Sequence, residues 1–261
     1  MKLIDANACI GNAIAKHQIV NHESFIILDK VKTAKAPSDL IEVMDKYGID
    51  KAAVWHRAMY DYDPVPGNRI LSESLRGCED RFLPIWTILP EISDKDFRSD
   101  IFIENMKKNN VKLLKALPYE CRYIMCDVTM GEQLSLYEEL NIPIYLEPQP
   151  DYQHIYNVLK EFPKLTVIIC NIGIWPSLRL IYPLLNRYPN VYFETGDFGM
   201  TRGYEEVCAR YGSERLLYGS NFPSNNPGCS LNCLLTANIS EAERENIAYG
   251  NMERLINGVK L

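Results

Sequence analysis

Histidine is scarce in this chain, with four residues among 261, at positions 17, 22, 56 and 154. A site built from several imidazoles cannot be assembled from so few, because only His56 falls at the end of a predicted strand. Long apolar runs are missing too: none approaches the ~20 residues that a membrane-spanning helix requires. Basic excess is absent, since the formal charge is −6, which disfavours nucleic acid and anionic membrane surfaces as partners. No G-x-G-x-x-G follows any predicted strand, which argues against a dinucleotide-binding open sheet. Eight cysteines are present, but no pair has the Cys-x2-Cys spacing of common structural zinc sites. The closest pairs, Cys121 with Cys126 and Cys229 with Cys233, read as free thiols of a cytoplasmic protein. Near the start, Lys2 and Ala13-Ile14-Ala15 faintly imitate a secretory signal. Asp5, Asn7 and Asn12 interrupt its apolar stretch, so the cytoplasm is the expected location.

What the chain does have is ample core-forming material, 47% hydrophobic against 24% charged. Short apolar runs alternate with stretches of helical period from one end to the other, the pattern of βα units around a parallel sheet. Strands are expected at 2–5, 51–56, 82–87, 111–116, 143–147, 166–171, 191–194 and 216–219. Thr166-Val167-Ile168-Ile169-Cys170 is the continuous apolar run of a strand buried on both faces. Helices are expected at 39–47, capped by Ser38 and stopped by Gly48, at 131–140 and at 177–188. A further helix over 241–249 opens on the capping box of Ser240 and Glu243, and a short one follows Asn251. Eight strands in this length favour a single α/β domain over 1–261, closed as a (β/α)8 TIM barrel.

In a barrel the chemistry sits at the C-terminal ends of the strands. Sequence motifs spread over nearly the whole chain, in order, carry a resemblance. The first is Ile4-Asp5-Ala6-Asn7-Ala8-Cys9-Ile10-Gly11. Asp39 to Ala53 holds the second, a helix leading to Gly48-Ile49-Asp50. The third is Asp80-Arg81-Phe82-Leu83-Pro84-Ile85, and the fourth Tyr188-Pro189-Asn190-Val191-Tyr192-Phe193-Glu194. The most specific is Leu217-Tyr218-Gly219-Ser220-Asn221-Phe222-Pro223, followed by Gly250-Asn251-Met252-Glu253-Arg254-Leu255. This arrangement resembles the amidohydrolase-related family of the amidohydrolase superfamily, which includes decarboxylases and lactone hydrolases. The resemblance implies a metal-dependent-hydrolase barrel whose usual metal ligands are replaced. Asn7 and Cys9 stand where the family has two histidines, Glu147 and Asn171 where it has histidines after strands five and six, and Asn221 where it has an aspartate after strand eight. Neutral amides are poor ligands for zinc or manganese, so neither a metal nor another cofactor is expected.

The polar ring expected at the mouth comprises Asp5, Asn7, Cys9, His56, Lys115, Glu147, Asn171, Glu194 and Asn221. Asp5, His56, Lys115 and Glu147 are the candidate catalytic residues. Asn7, Cys9, Asn171 and Asn221 are candidates for binding substrate. Glu147, in a pocket bordered by Tyr145, Trp175 and Phe222, suits a general acid or base. Beside Lys115 it also reads as a buried ion pair. Cys9 is a nucleophile only with His56 as its base, and an inert thiol is the simpler reading. The expected activity is metal-independent hydrolysis, or a lyase reaction, on C–O or C–N bonds of a small carboxylated molecule. The rival reading is an inactive barrel that binds a small ligand or a protein partner. A weaker one retains a metal through Asp5, Cys9 and Glu147. Family members often pair, so a homo-oligomer is left open, and the 12–35 segment is long enough to cover the site.

Overall fold

The computed structural model describes residues 1–11, 33–92, 94–173 and 178–261. Eight parallel strands follow one another in sequence order around the sheet. They are β1 (Ile4–Ile10), β2 (Lys51–His56), β3 (Phe82–Ile88), β4 (Leu113–Ala116), β5 (Ile144–Leu146), β6 (Val167–Ile169), β7 (Val191–Glu194) and β8 (Leu216–Leu217). The last edge meets the first through backbone bonds. Ala6 N donates to Tyr218 O at 2.7 Å, Cys9 N donates to Phe222 O at 2.9 Å, and Ala8 bridges Phe222. These contacts leave β1 and β8 without a bare edge and close the barrel.

Helices cover the outside: α1 (Pro37–Tyr47), α2 (Ala58–Asp61), α3 (Pro64–Ser74), α4 (Ser99–Lys108), α5 (Asp127–Glu139), α6 (Gln153–Glu161), α7 (Leu178–Arg187), α8 (Gly203–Tyr211), α9 (Pro227–Thr236), α10 (Glu241–Glu245) and α11 (Asn251–Asn257). No described helix is long and apolar enough to cross a membrane.

Two local expectations change. Helix α1 starts earlier than the Ser38 cap implies, with Ala36 at the cap and Pro37 in the first turn. Proline's fixed φ favours that position, and Asp39 takes the cap's role by accepting from Lys35 N at 2.8 Å and Ala36 N at 3.0 Å. Helix α5 begins at Asp127 rather than 131, with a non-helical break at Met130 that hides its first turn from a periodicity reading. The Ser240–Glu243 capping box forms as expected, and a π-helical turn at Asn246–Gly250 joins α10 to α11.

Strand β1 runs five residues beyond its predicted end. Its pairing with β2 slips between Asp5 and Ala8, the signature of a bulge, which re-aims side chains near a barrel rim. The motif from Asp5 to Ile10 therefore lies within the strand, and Gly11 directly follows it. Gly11 has φ 103°, and a Cβ on it would stand 2.7 Å from the His56 ring. Glycine is required there both for the backbone turn and for the imidazole beside it.

Candidate active site at the barrel mouth

The structure gathers the predicted ring into two clusters. In the first, Lys115 on β4 places its Nζ 2.6 Å from Glu147 Oε1, just past β5. The Lys115 side chain is 1% exposed and that of Glu147 15%. The ammonium also lies 4.9 Å from the centre of the Trp55 ring and 3.7 Å from Cys170 Sγ. Burial opposes the Lys115 charge, but Cys170 and Glu147 outweigh it and carry the pKa above its usual value. The lysine thus stays protonated, held by a carboxylate and an aromatic face.

Cys9 borders this cluster and is buried. Desolvation pushes its thiol up to about 12, which the charges of Arg57 and Lys115 only partly offset. At the end of β2, His56 Nδ1 accepts from Ala58 N at 3.1 Å. Burial lowers its pKa. A neutral ring whose Nδ1 accepts carries its proton on Nε2, so His56 offers a donor there. That tautomer offers Cys9 no free acceptor nitrogen, and the thiol donates instead to Ile10 O at 3.5 Å.

The second cluster spans the opposite wall. Asn7 Nδ2 donates to Glu194 Oε2 at 3.0 Å and to Asn171 Oδ1 at 3.1 Å. Glu194 Oε1 accepts from Gly196 N. Fully buried at the end of β7, Glu194 is raised by desolvation to about 8, more than its hydrogen bond from Asn7 can offset. It is therefore a neutral acid near pH 7. Asp5 sits beneath, with Oδ1 accepting from Ser220 N at 2.8 Å and Asn7 N at 3.0 Å, and Oδ2 accepting from the Ser220 hydroxyl. Burial raises it to about 6. Asp5 thus ties β1 to the segment after β8, with both carboxylate oxygens engaged.

Asn221 Nδ2 donates to Asp197 Oδ1 at 3.1 Å. Asp197 also accepts from Asn225 Nδ2, and from Gly173 N at 3.3 Å. Sequence reasoning missed Asp197, Asn225 and Cys170. Loop residues such as Asp197 carry no periodicity signal, and the only hint was the turn-rich Gly196-Asp197-Phe198-Gly199 after a strand. Asn171 and Asn221 have φ of 53° and 50°, a left-handed backbone that asparagine tolerates better than most residues. Their amides thus have a conformational reason as well as a chemical one.

Some expected neighbours are placed differently. Tyr145 is fully buried in the barrel, its hydroxyl donating to Ala6 O at 2.6 Å. Trp175, His17, His22 and most of the 12–35 segment lie outside the described residues. Among the described residues, no three His, Cys, Asp or Glu side chains converge as they would around a metal ion.

Residues 132–257 match the family model described as amidohydrolase. No curated protein sequence matches the chain. Solved structures resemble it over nearly its full length. An uncharacterised TIM-barrel protein from Bordetella bronchiseptica is 20% identical, with TM-score 0.72 and 99% of each chain covered. A dihydroxybenzoic acid decarboxylase from Polaromonas sp. JS666, solved with manganese and the inhibitor 2-nitroresorcinol, is 15% identical, with TM-score 0.74 and coverage of 98% and 97%. The 4-oxalomesaconate hydratase of Rhodopseudomonas palustris is 13% identical, with TM-score 0.69 and coverage of 98% and 96%. The fold is a TIM barrel. At these identities the likeness to solved structures is one of fold.

Proposed function

We propose that the barrel mouth is an enzyme active site, acting on a small carboxylated molecule through Lys115 and Glu147 and without a divalent metal. The observation that carries this reading is the 2.6 Å Lys115–Glu147 pair at the C-terminal ends of adjacent strands, the position where barrel enzymes keep their chemistry. The decarboxylase and hydratase of like fold are named for small carboxylic acids, which supports the substrate class.

The roles follow from the geometry. Lys115, anchored and protonated, attracts a carboxylate or the oxygen of a carbonyl as negative charge develops there. His56 Nε2 supplies a second, neutral donor. Glu147, more exposed than its partner, takes a proton from water attacking the carbonyl carbon of a lactone, ester or amide. It then returns that proton to the departing oxygen or nitrogen. Asn171 and Asn221 orient the substrate, while Asp5 and Glu194 hold the wall. Cys9, with its thiol neutral, contributes shape.

Support for metal-free action comes from the donor set. Asn7 commits its amide nitrogen to Asn171 and Glu194 and has only its neutral amide oxygen to offer a metal, a weak donor for zinc or manganese. The Lys115 ammonium would repel a second cation close to Glu147. The residues at the family's metal positions thus do not suit zinc or manganese.

A second reading, a non-catalytic barrel binding a small ligand or a protein partner, draws on the mutual saturation of Asp5, Asn7, Glu194, Asp197 and Asn221. Turnover of a panel of carboxylated lactones, esters, amides and hydroxybenzoates separates the two. The enzyme reading expects turnover that falls at least 100-fold in both K115M and E147Q. Absence of turnover across the panel, or turnover untouched by both substitutions, overturns it.

A further inference from the structure

A groove of about 480 Å³ lies on the same face of the barrel, between the β4–α5 loop and the segment after β5. Its volume is that of a small-molecule site, for which roughly 300–1,000 Å³ is usual. Apolar walls come from Pro118, Tyr119, Tyr123, Ile124 and Pro150. Two of these are large side chains left in solvent, Tyr119 at 63% and Ile124 at 72% exposure. Such neighbouring exposed apolar groups are uncommon unless something covers them.

The charged lining carries a positive excess, two cations against one acid. Arg122 and Lys160 face the groove, and neither has a carboxylate partner among the described residues. The acid beside them, Glu161, is already engaged, accepting from Asp127 N at 2.8 Å. Arg122 also holds a left-handed backbone, φ 57°, which costs an arginine energy and aims its side chain from an otherwise unfavoured position. In the wall stands His154, its ring close to backbone groups of Asp151 and Glu147.

We infer that this groove is a second binding site, taking a small aromatic anion whose carboxylate or sulfonate meets Arg122 and Lys160 while its ring lies on Tyr119, Tyr123 and Ile124. The two cations confer the preference for an anion, and the flat apolar wall the preference for a ring. The site uses none of the residues assigned to the mouth, so it stands whether or not the mouth is catalytic.

The probe is 8-anilinonaphthalene-1-sulfonate, followed by calorimetry and fluorescence on the full chain. One molecule binds per chain, and benzoate displaces it while benzylamine does not. R122E/K160E weakens binding at least 10-fold. K95E/K107E, which changes net charge equally at exposed positions off the groove, leaves it within twofold. H56A and E147Q also leave it within twofold, which separates this site from the mouth. All the substituted groove positions are exposed, so circular dichroism of the variants should match the parent. Equal weakening by both charge reversals, loss of binding in H56A or E147Q, or no stoichiometric binding at all overturns the inference.

Discussion

The carboxyl of Glu194 fills the space that a side chain on Gly219 would need: a Cβ built at residue 219 would lie 1.9 Å from Oε1. Gly196 yields space in the same way, with a Cβ there 2.6 Å from that oxygen. Two glycines thus make room for one buried acid, which in turn receives Asn7 from across the barrel. Gly219→Ala should displace Glu194 and break its bond to Asn7. The expected loss is about 2–4 kcal/mol, from overpacking plus an unsatisfied buried group. Urea denaturation of the variant checks this, and a loss below about 0.5 kcal/mol would show that Glu194 has somewhere else to go.

Glu194 also dictates how stability varies with pH. Its pKa is raised from 4.5 to about 8 on folding, and that of Asp5 from 3.8 to about 6. Below the unfolded values both states are protonated and neither group contributes a slope. Between those values and the folded ones the unfolded chain binds fewer protons than the folded chain. Stability therefore falls as pH rises, levelling off above about 8. A tenfold change in proton affinity corresponds to about 1.4 kcal/mol, so within this window each pH unit lowers stability by up to about 1.4 kcal/mol per titrating group. Glu194→Gln should remove the part of the slope between about pH 6 and 8. Denaturation midpoints at several pH values measure it, and an unchanged slope in E194Q would contradict the assignment.

The Lys115–Glu147 pair should respond asymmetrically to truncation. Lys115 is almost wholly enclosed, whereas Glu147 retains contact with solvent. Glu147→Ala strands a buried ammonium and should cost about 3–5 kcal/mol, the range for breaking a buried pair. Lys115→Met leaves a carboxylate that water can reach and should cost less, about 1–3 kcal/mol. Paired denaturation curves decide, and the reverse order would mean the lysine is the better solvated partner.

Thiol reactivity separates the cysteines. Cys9 and Cys170 are buried, and Cys229 is exposed. With desolvation holding Cys9 near 12, iodoacetamide at pH 8 should label Cys229 first and Cys9 and Cys170 last. Peptide mass spectrometry over time reads the order. Early labelling of Cys9 would revive its role as a nucleophile.

The barrel was largely legible from the residues. Strands β2 and β7 have the predicted bounds, because Val54 and Trp55, or Val191 and Phe193, sit in apolar runs with clear polar flanks. Strand β1 was not, since its length comes from a bulge and from pairing with Phe222, a residue more than 200 positions away. The site was legible as a set of positions but not as a network. The family resemblance implied one mouth for Asn7, Glu147, Asn171 and Asn221, with no partners for them. Only the folded chain shows that Asn7 reaches Glu194, that Asn221 is held by Asp197, and that His56 turns its acceptor nitrogen toward Ala58. Such pairings depend on side-chain direction across the barrel, which no local pattern encodes.

The central claim is that Lys115 and Glu147 act at this mouth without a divalent ion. The most direct test is turnover of carboxylated lactones and hydroxybenzoates by chelator-stripped protein, compared with the same protein supplied with manganese or zinc. Rates should be equal with and without metal. Turnover that vanishes on stripping and returns with either ion would contradict it.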